Sequence, residues 1–302
     1  MERKFILSCG STVDVPYSFL AERDIPVIFY TYLVDETEYV DDMGRDPQAL
    51  PRFYEMLAAG KLPSTSQINV GAYADFFEAQ LKRGDLLHIA FGSGMSASVR
   101  NAEAAAALLR PKYPDRRIAV IDSYCSSSGY GLLVDGAADL RDRGCSLEEA
   151  ERWVLDNRRC VHHQFFSTDL TYYRRSGRMS GAAAMIGAIL NICPIMRLDR
   201  EGRIIAYGKV RGKKNAVLTT VNAMEAHARG GRDYDGKCWI CNSNCRGDAE
   251  RLAAALRERF PRIRGEIRIC DIGTIIASHC GPGTVAVFFF GDERAPYPDP
   301  NG

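Results

Sequence analysis

The sequence has almost no excess of charge of either sign. Its 302 residues include 39 Lys and Arg against 38 Asp and Glu, which leaves a formal net charge of +1. A general nucleic-acid-binding protein usually carries a clear basic excess. The charge balance therefore argues against that class of protein.

Long hydrophobic runs are also missing. The longest apolar stretch is "GAAAMIGAILNICPIM", which Asn191 and Pro194 interrupt. It is shorter than the roughly 20 residues that a membrane-spanning helix needs. The N-terminal "MERKFILSCGSTVDVP" turns polar too soon to form the apolar core of a secretion signal. We expect a cytoplasmic protein whose contact with a membrane is at most peripheral.

Several motifs that carry catalysis are absent. The sequence has no GxGxxG after a strand, no GxxxxGK[ST], no HExxH and no GxSxG. Ser96 and His279 can be drawn as a nucleophile and its base, but no sharp turn presents the serine and no acid is placed to orient the histidine. We predict no catalytic residues, and a Ser/His hydrolase acting on a lipid ester remains an alternative.

The ten cysteines do not form a convincing metal site. Without a secretion signal we expect free thiols rather than disulfides. The segment "CWICNSNC" places Cys238, Cys241 and Cys245 close together in sequence. A structural zinc site normally needs four ligands, and no second pair of ligands follows. We therefore predict no bound metal and no cofactor.

The pattern of apolar residues predicts an α/β protein with two domains. Buried-strand patterns such as "DLLHIAF" and "RIAVIDS" alternate with helical patterns through the first half, which indicates a mainly parallel sheet. The second half has an α+β pattern, with a hairpin around "DREG" and a helix, "SGAAAMIGAILN", that is apolar on nearly all sides. We place the N-terminal α/β domain at 1–159 and the C-terminal α+β domain at 160–302.

Small polar residues follow or precede several of these elements. They occur in "GSTVD", "GSGMSAS", "SYCSSSG" and "PSTSQIN". One such cluster is most simply a helix cap. Because ligands of α/β sheets bind beyond the carboxyl ends of the strands, four clusters together predict a pocket of neutral hydrogen-bond donors. Such a pocket suits a small anionic head group.

Six segments follow one another along the chain in a recognisable order and spacing: "LPSTSQINVGAY", "GSGMSASVRNAEAAAAL", "IDSYCSSSGYG", "YYRRSGRMSG", "GKVRGKKNAV" and "HCGPGTVAVFFFG". In these motifs the sequence resembles the DegV family of bacterial fatty-acid-binding proteins. The resemblance covers almost the whole chain. It implies a DegV-like fold in which an apolar tunnel between the two domains holds a fatty acid.

The resemblance also implies which residues bind the carboxylate. Thr65, Ser96 and His279 match the family's three carboxylate partners, and the nearby pocket positions are Ser66, Gln67, Ser98 and Gly281. The family's Leu-Ser-Gly-Thr motif matches Met95, Ser96, Ala97 and Ser98, with Ala in place of Gly and Ser in place of Thr. The N-terminal Asp-Ser-Thr of many members begins with Gly10 instead.

A separate kinase is the partner that the resemblance implies. It would phosphorylate the bound long-chain fatty acid, such as palmitate, stearate or oleate, to an acyl phosphate, while the carrier itself catalyses nothing. The cations of "GKVRGKK" are expected to dock this fatty acid kinase, and they are Arg211, Lys213 and Lys214. The alternative explanation is that these cations only form a solvent-exposed surface of the protein. A phosphate- or nucleic-acid-binding module that uses the basic runs is the remaining alternative.

Overall fold

The N-terminal half is built on a four-stranded parallel sheet. The computed structural model describes residues 4–180 and 191–296. Its first sheet has the order β2-β1-β6-β7, formed by β1 (Ile6–Gly10), β2 (Val27–Ile28), β6 (Leu86–Ala90) and β7 (Ile118–Asp122). Every pairing in it is parallel, which confirms the expected mainly parallel sheet.

Helices connect these strands, and side chains cap the first turns of two of them. Asn69 accepts a hydrogen bond from the backbone of Ala72, and Ser146 forms a capping box with Glu149. The helices of this half are α1 (Tyr17–Ala21), α2 (Ala49–Ala58), α3 (Val70–Leu81), α4 (Ser98–Leu109), α5 (Ser127–Asp142) and α6 (Leu147–Asn157).

A small antiparallel sheet is inserted between β2 and α3. It consists of β3 (Thr31–Val34), β4 (Thr37–Val40) and β5 (Ser64–Thr65), with β3 in the centre. The β3–β4 hairpin turns at Asp35 and Glu36, both of which have positive φ. This arrangement places β5 and the residues that follow it beside the C-terminal half.

The C-terminal half contains a seven-stranded mixed sheet. Its order is β13-β12-β14-β8-β10-β11-β9. The strands are β8 (Val161–Ser167), β9 (Met179–Ser180), β10 (Ile192–Leu198), β11 (Ile204–Arg211), β12 (Trp239–Asn242), β13 (Arg268–Asp271) and β14 (Thr284–Phe290). Antiparallel β10 and β11 form the hairpin predicted around "DREG".

The C-terminal sheet separates two layers of apolar side chains. Its helices are α7 (Thr171–Ser176), α8 (Lys213–His227), α9 (Arg246–Arg259) and α10 (Thr274–Cys280). On β14, Val287 and Phe289 pack with α8 and α9 on one face, whereas Ala286 and Phe288 face α5 and the N-terminal half. Neighbouring residues of a strand point to opposite faces, so one strand serves both layers.

The helices and strands described above do not test two of the predictions made from the sequence. The apolar helix expected in "SGAAAMIGAILN" lies mostly outside the described residues. The domain boundary at 159/160 stays a prediction, and it falls in the short connection between the end of α6 at Asn157 and the start of β8 at Val161. Within the described ranges, none of the helices combines the length and the apolar character that crossing a bilayer requires.

Candidate functional site

A cavity lies where the two halves of the chain meet. The first half contributes β5 and the segment after it, the β6–α4 loop and the start of α5, and the second half contributes α7, α10 and five strands. The residues with polar side chains that line it include Tyr30, Thr65, Ser66, Gln67, Ser96, Ser126, Ser127, His163, Tyr173, Arg178, His279 and Thr284. No Asp or Glu lines the cavity among the described residues.

The rest of the cavity wall is predominantly apolar. Aliphatic and aromatic side chains come from both halves, and Ala286 and Phe288 of β14 form part of the floor. The lining also includes Phe91, Met95, Phe165, Leu198, Ile204, Ile272, Ile275 and Ile276. A mostly apolar cavity with a few polar groups suits a ligand that has a long apolar body and a small polar head.

Thr65 and His279 form the central polar pair. Their side chains, 214 positions apart in sequence, are joined by a hydrogen bond of 2.8 Å between Oγ1 and Nε2. The other ring nitrogen of His279, Nδ1, is buried and has no hydrogen-bond partner among the described residues. A buried polar atom without a partner is costly, and a ligand oxygen in the cavity is one way to satisfy it.

The environment keeps the His279 ring neutral. Burial, followed by the charges of Arg178 and Arg175, lowers the pKa of His279 from 6.5 to about 4. At neutral pH the ring therefore has one N–H and one acceptor nitrogen. A bound anion would act in the opposite direction and favour the protonated ring.

The remaining residues implied by the family resemblance take different places. Ser96, Ser66 and Gln67 line the cavity, whereas Ser98 is fully buried and accepts a hydrogen bond of 3.1 Å from the backbone N–H of Ile68. Ser98 therefore fixes the segment that follows Thr65 and does not line the cavity.

Gly281 also lies outside the cavity lining, at the end of α10. Its φ of 64° is disfavoured for other residues, and its carbonyl accepts a hydrogen bond from the Ser243 hydroxyl. Gly281 thus ends the helix that carries His279.

Two arginines near the cavity were not assigned to it from the sequence. Arg178 lines the cavity, and Arg175 donates to the carbonyls of Pro63 and Ser278 at 3.3 and 3.4 Å. No carboxylate of the described residues forms an ion pair with either arginine. The basic run "RRSGR" was the available signal, but its charges fit a solvated face equally well.

The cations predicted to dock a kinase do not gather at this cavity. Ile204 begins β11 and lines the cavity, whereas Arg211 ends the same strand. At about 3.3 Å per residue the two positions are roughly 23 Å apart. Lys213 forms an ion pair of 2.6 Å with Asp248, and Arg211 and Lys214 are exposed. Arg211, Lys213 and Lys214 therefore lie away from the His279 pair, and a role for them in docking stays a prediction.

Two buried aspartates hold the start of α10. Asp14 accepts a hydrogen bond of 3.0 Å from the N–H of Gly273, and Asp41 accepts bonds from the N–H and hydroxyl of Thr274 at 3.1 and 2.9 Å. Burial raises the pKa of Asp41 from 3.8 to about 6. Both carboxylates come from the N-terminal half, so they fix the helix that carries His279 against that half.

The cysteine-rich segment does not assemble into a metal site. Cys238 packs in the layer beneath α8 and α9, whereas Cys241 faces the opposite side of the sheet and lines the cavity. All ten cysteines lie in the described ranges and all are free thiols. Their separation follows from the strand geometry, because residues three apart in a strand point to opposite faces.

Comparison with known proteins finds relatives of one family that match almost the whole chain. A family model described as an uncharacterised protein of the DegV family matches residues 7–292. A DegV domain-containing protein of Clostridium perfringens is 34% identical over 296 residues, which are 97% of this chain and 100% of that protein. Another from Streptococcus pyogenes is 30% identical over 292 residues, covering 96% of this chain and 99% of that protein.

Solved structures share the fold. A DegV family protein from Thermus thermophilus, described as fatty-acid binding, is 26% identical with a TM-score of 0.82 and covers 95% of this chain and 99% of its own. A DegV lipid-binding protein from Thermotoga maritima has a TM-score of 0.83 at 22% identity, covering 96% and 99%. A stearic acid-binding protein from Eubacterium ventriosum also has a TM-score of 0.83, at 21% identity, covering 96% and 99%.

Proposed function

The chain belongs to the DegV family, and we propose that it binds one long-chain fatty acid in the cavity between its two halves. The carboxylate lies at the polar group of Thr65, Ser96 and His279, and the acyl chain lies along the apolar wall. The ligand is a fatty acid such as palmitate, stearate or oleate, and no cofactor takes part.

The composition of the cavity is the observation that carries this proposal. Hydroxyls, a histidine with an unpartnered nitrogen and an arginine share the lining with a large apolar surface, and no acid lines it among the described residues. A carboxylate is the small anion that such donors satisfy. The fatty acid described for the Thermus relative, whose fold covers 95% of this chain, supports the same class of ligand.

The two ends of the ligand contribute differently. Burying about fifteen carbons of a C16 chain gives roughly 12 kcal/mol before the costs of binding. A hydrogen bond to the charged carboxylate contributes about 1.5–3 kcal/mol. The apolar wall therefore supplies most of the affinity, and the polar group fixes which end of the ligand lies there.

We expect fatty acid to remain bound through purification. The physical reason is the burial of the acyl chain, which slows its release. Organic extraction of the folded protein followed by gas chromatography should recover close to one fatty acid per chain. If the folded protein contains no lipid and takes up none when free fatty acid is added, the carrier proposal is wrong.

Removing one partner of the carboxylate is expected to weaken binding without unfolding the protein. Thr65→Val, Ser96→Ala and His279→Ala each leave the carboxylate one hydrogen bond short, which costs about 1–3 kcal/mol. Titration with a fluorescent fatty acid measures the change. Ser64→Ala is the matched control, because Ser64 is exposed and does not line the cavity. Wild-type affinity in all three variants would place the head group elsewhere.

The carrier is proposed to present the carboxylate to a fatty acid kinase, which forms the acyl phosphate. Arg175 and Arg178 support this because their charge lies beside the head group. The hydrolase alternative has less support, because His279 bonds to Thr65 while the Ser96 hydroxyl accepts a bond from the backbone N–H of Ser98. An ester-cleavage assay on the purified protein tests that alternative.

Arg211→Glu is expected to separate partner docking from lipid binding. The exposed guanidinium lies roughly 23 Å along β11 from the cavity, so fatty acid affinity should stay within a few-fold of wild type. Charge reversal at the edge of an interface slows association, so acyl phosphate formation with the cognate kinase should fall sharply. Both measurements are made on the same variant. Unchanged kinase turnover would mean that these cations only solvate the surface.

A further inference from the structure

A second cluster of polar side chains lies on the opposite face of the C-terminal sheet from the cavity. It consists of His162 on β8, His227 at the end of α8 and Asp292 just after β14. His163, the next residue on β8, lines the cavity, so His162 points away from it. The proposed fatty acid function uses none of these three side chains.

The three side chains turn ligand atoms toward one another. His162 Nε2 lies 2.8 Å from Asp292 Oδ1, and His227 Nδ1 lies 3.2 and 3.3 Å from the two carboxylate oxygens. The potential ligand atoms of all three lie within 4.8 Å of one another. In a tetrahedral site with metal–ligand distances of about 2.0 Å, neighbouring ligand atoms lie about 3.3 Å apart. The observed separations already approach that spacing.

We propose that His162, His227 and Asp292 bind a Zn²⁺ ion, with water as the fourth ligand. Two neutral imidazoles and one carboxylate form a ligand set that zinc commonly takes, and a fourth position left to water suits a site with an open side. The Asp292 side chain is 60% exposed and that of His227 is 32% exposed, so the ion and its water can reach the site from solvent.

Binding requires His162 Nε2 to give up its 3.0 Å hydrogen bond to the backbone carbonyl of Asp292, and it requires a small turn of the His227 ring. The imidazoles of His162 and His227 stack with centroids 4.9 Å apart and planes 20° apart. His162 is held between His227 and the ring of Phe289, which is also stacked on it at 5.2 Å. His227 is the last residue of α8 and partly exposed, so it is the ring that turns to direct its Nδ1 lone pair at the ion.

The surroundings of the cluster limit its affinity for Zn²⁺ and determine which part of the protein bound zinc would stabilise. Arg294 carries a positive charge near the cluster, where it donates to the carbonyls of Val161 and Tyr124 at 2.6 and 2.7 Å. That charge opposes the ion, so we expect moderate affinity. The ion would join β8, α8 and the segment after β14, which are far apart in sequence. Bound zinc should therefore stabilise the C-terminal half and leave the cavity on the other face unchanged.

The test uses the full chain without a polyhistidine tag, after treatment with a chelator. Calorimetric titration with Zn²⁺ should give one site per chain, and the melting temperature should rise. Co²⁺ as a spectroscopic probe should give visible bands of a low-coordinate site without the thiolate charge-transfer band that cysteine ligands produce. His227→Ala and Asp292→Asn should each weaken binding roughly 100-fold, because each removes one of only three protein ligands.

Cys160→Ser is the matched control, because Cys160 is a partly exposed free thiol only two residues before His162. This variant should bind zinc as wild type does, and all variants should take up fatty acid normally, which confirms that they fold. The proposal is overturned if there is no saturable site, if a thiolate band appears, or if binding survives unchanged in both His227→Ala and Asp292→Asn.

Discussion

Ala286→Trp is expected to abolish fatty acid binding while the protein still folds. Ala286 lies in the middle of β14, opposite Cys241 on β12 and Phe165 on β8, and its side chain lines the cavity. An indole at this position fills space that the acyl chain would occupy. Because most of the affinity comes from burying that chain, we expect binding to fall by at least about 100-fold.

The fold should tolerate this change because the new side chain enters a cavity. Overpacking a filled core costs about 1–3 kcal/mol, and a cavity lowers that cost. Extraction and gas chromatography measure the bound lipid, and thermal unfolding measures stability. Ala104→Trp is the control, since Ala104 is an exposed position on α4. Normal lipid content in folded Ala286→Trp protein would show that the acyl chain does not lie along β14.

Most of the architecture was predictable because local patterns and burial agree. All five residues of β6 are buried, and in the sequence they belong to an apolar run between Asp85 and Gly92 that only His88 interrupts. Ser146 and Glu149 form the capping box that their spacing predicts. In such segments the same residues determine both the local conformation and the buried face, so the sequence is sufficient.

The candidate site was predictable only where the family resemblance reached it. Nothing in the spacing of Thr65 and His279 indicates that two residues 214 positions apart share a hydrogen bond. Asp41 was missed because a single aspartate after a hairpin strand resembles any exposed turn residue. Its role depends on α10, which lies more than two hundred residues further along the chain.

The basic segments show a second reason why the cavity residues could not all be predicted from the sequence. "RRSGR" and "KVRGKK" are both rich in basic residues, and charge alone cannot tell which one lies near the cavity. The order of the strands decides the question. Arg178 comes just before β9, which pairs with the first residues of β11, where Ile204 lines the cavity. Arg211 is the last residue of β11 and lies at the opposite end of that strand. Long-range strand pairing of this kind is not encoded in a local pattern.

Gly281→Ala is expected to destabilise the protein and to weaken lipid binding together. Gly281 has φ 64° and ψ −172°, a conformation that is essentially confined to glycine, and forcing it on alanine costs about 1–3 kcal/mol. In addition, a Cβ at this position would overlap the ring of Tyr172 on α7. Relief of that overlap moves either α7 or the end of α10, where Cys280 directly follows His279. The hydrogen bond between His279 and Thr65 should then be strained or lost.

Gly265→Ala separates the two causes, since Gly265 has φ 65° but no atom of the described residues lies within 4 Å of the added Cβ. It should show only the cost of the backbone conformation, about 1–2 kcal/mol, with normal lipid affinity. Chemical unfolding and fatty acid titration of both variants give the comparison. If Gly281→Ala is no less stable than Gly265→Ala and binds lipid as tightly, the contact with Tyr172 does not hold His279 in place. A larger loss of stability accompanied by weaker binding means that the Gly-Pro-Gly turn positions the histidine against the cavity.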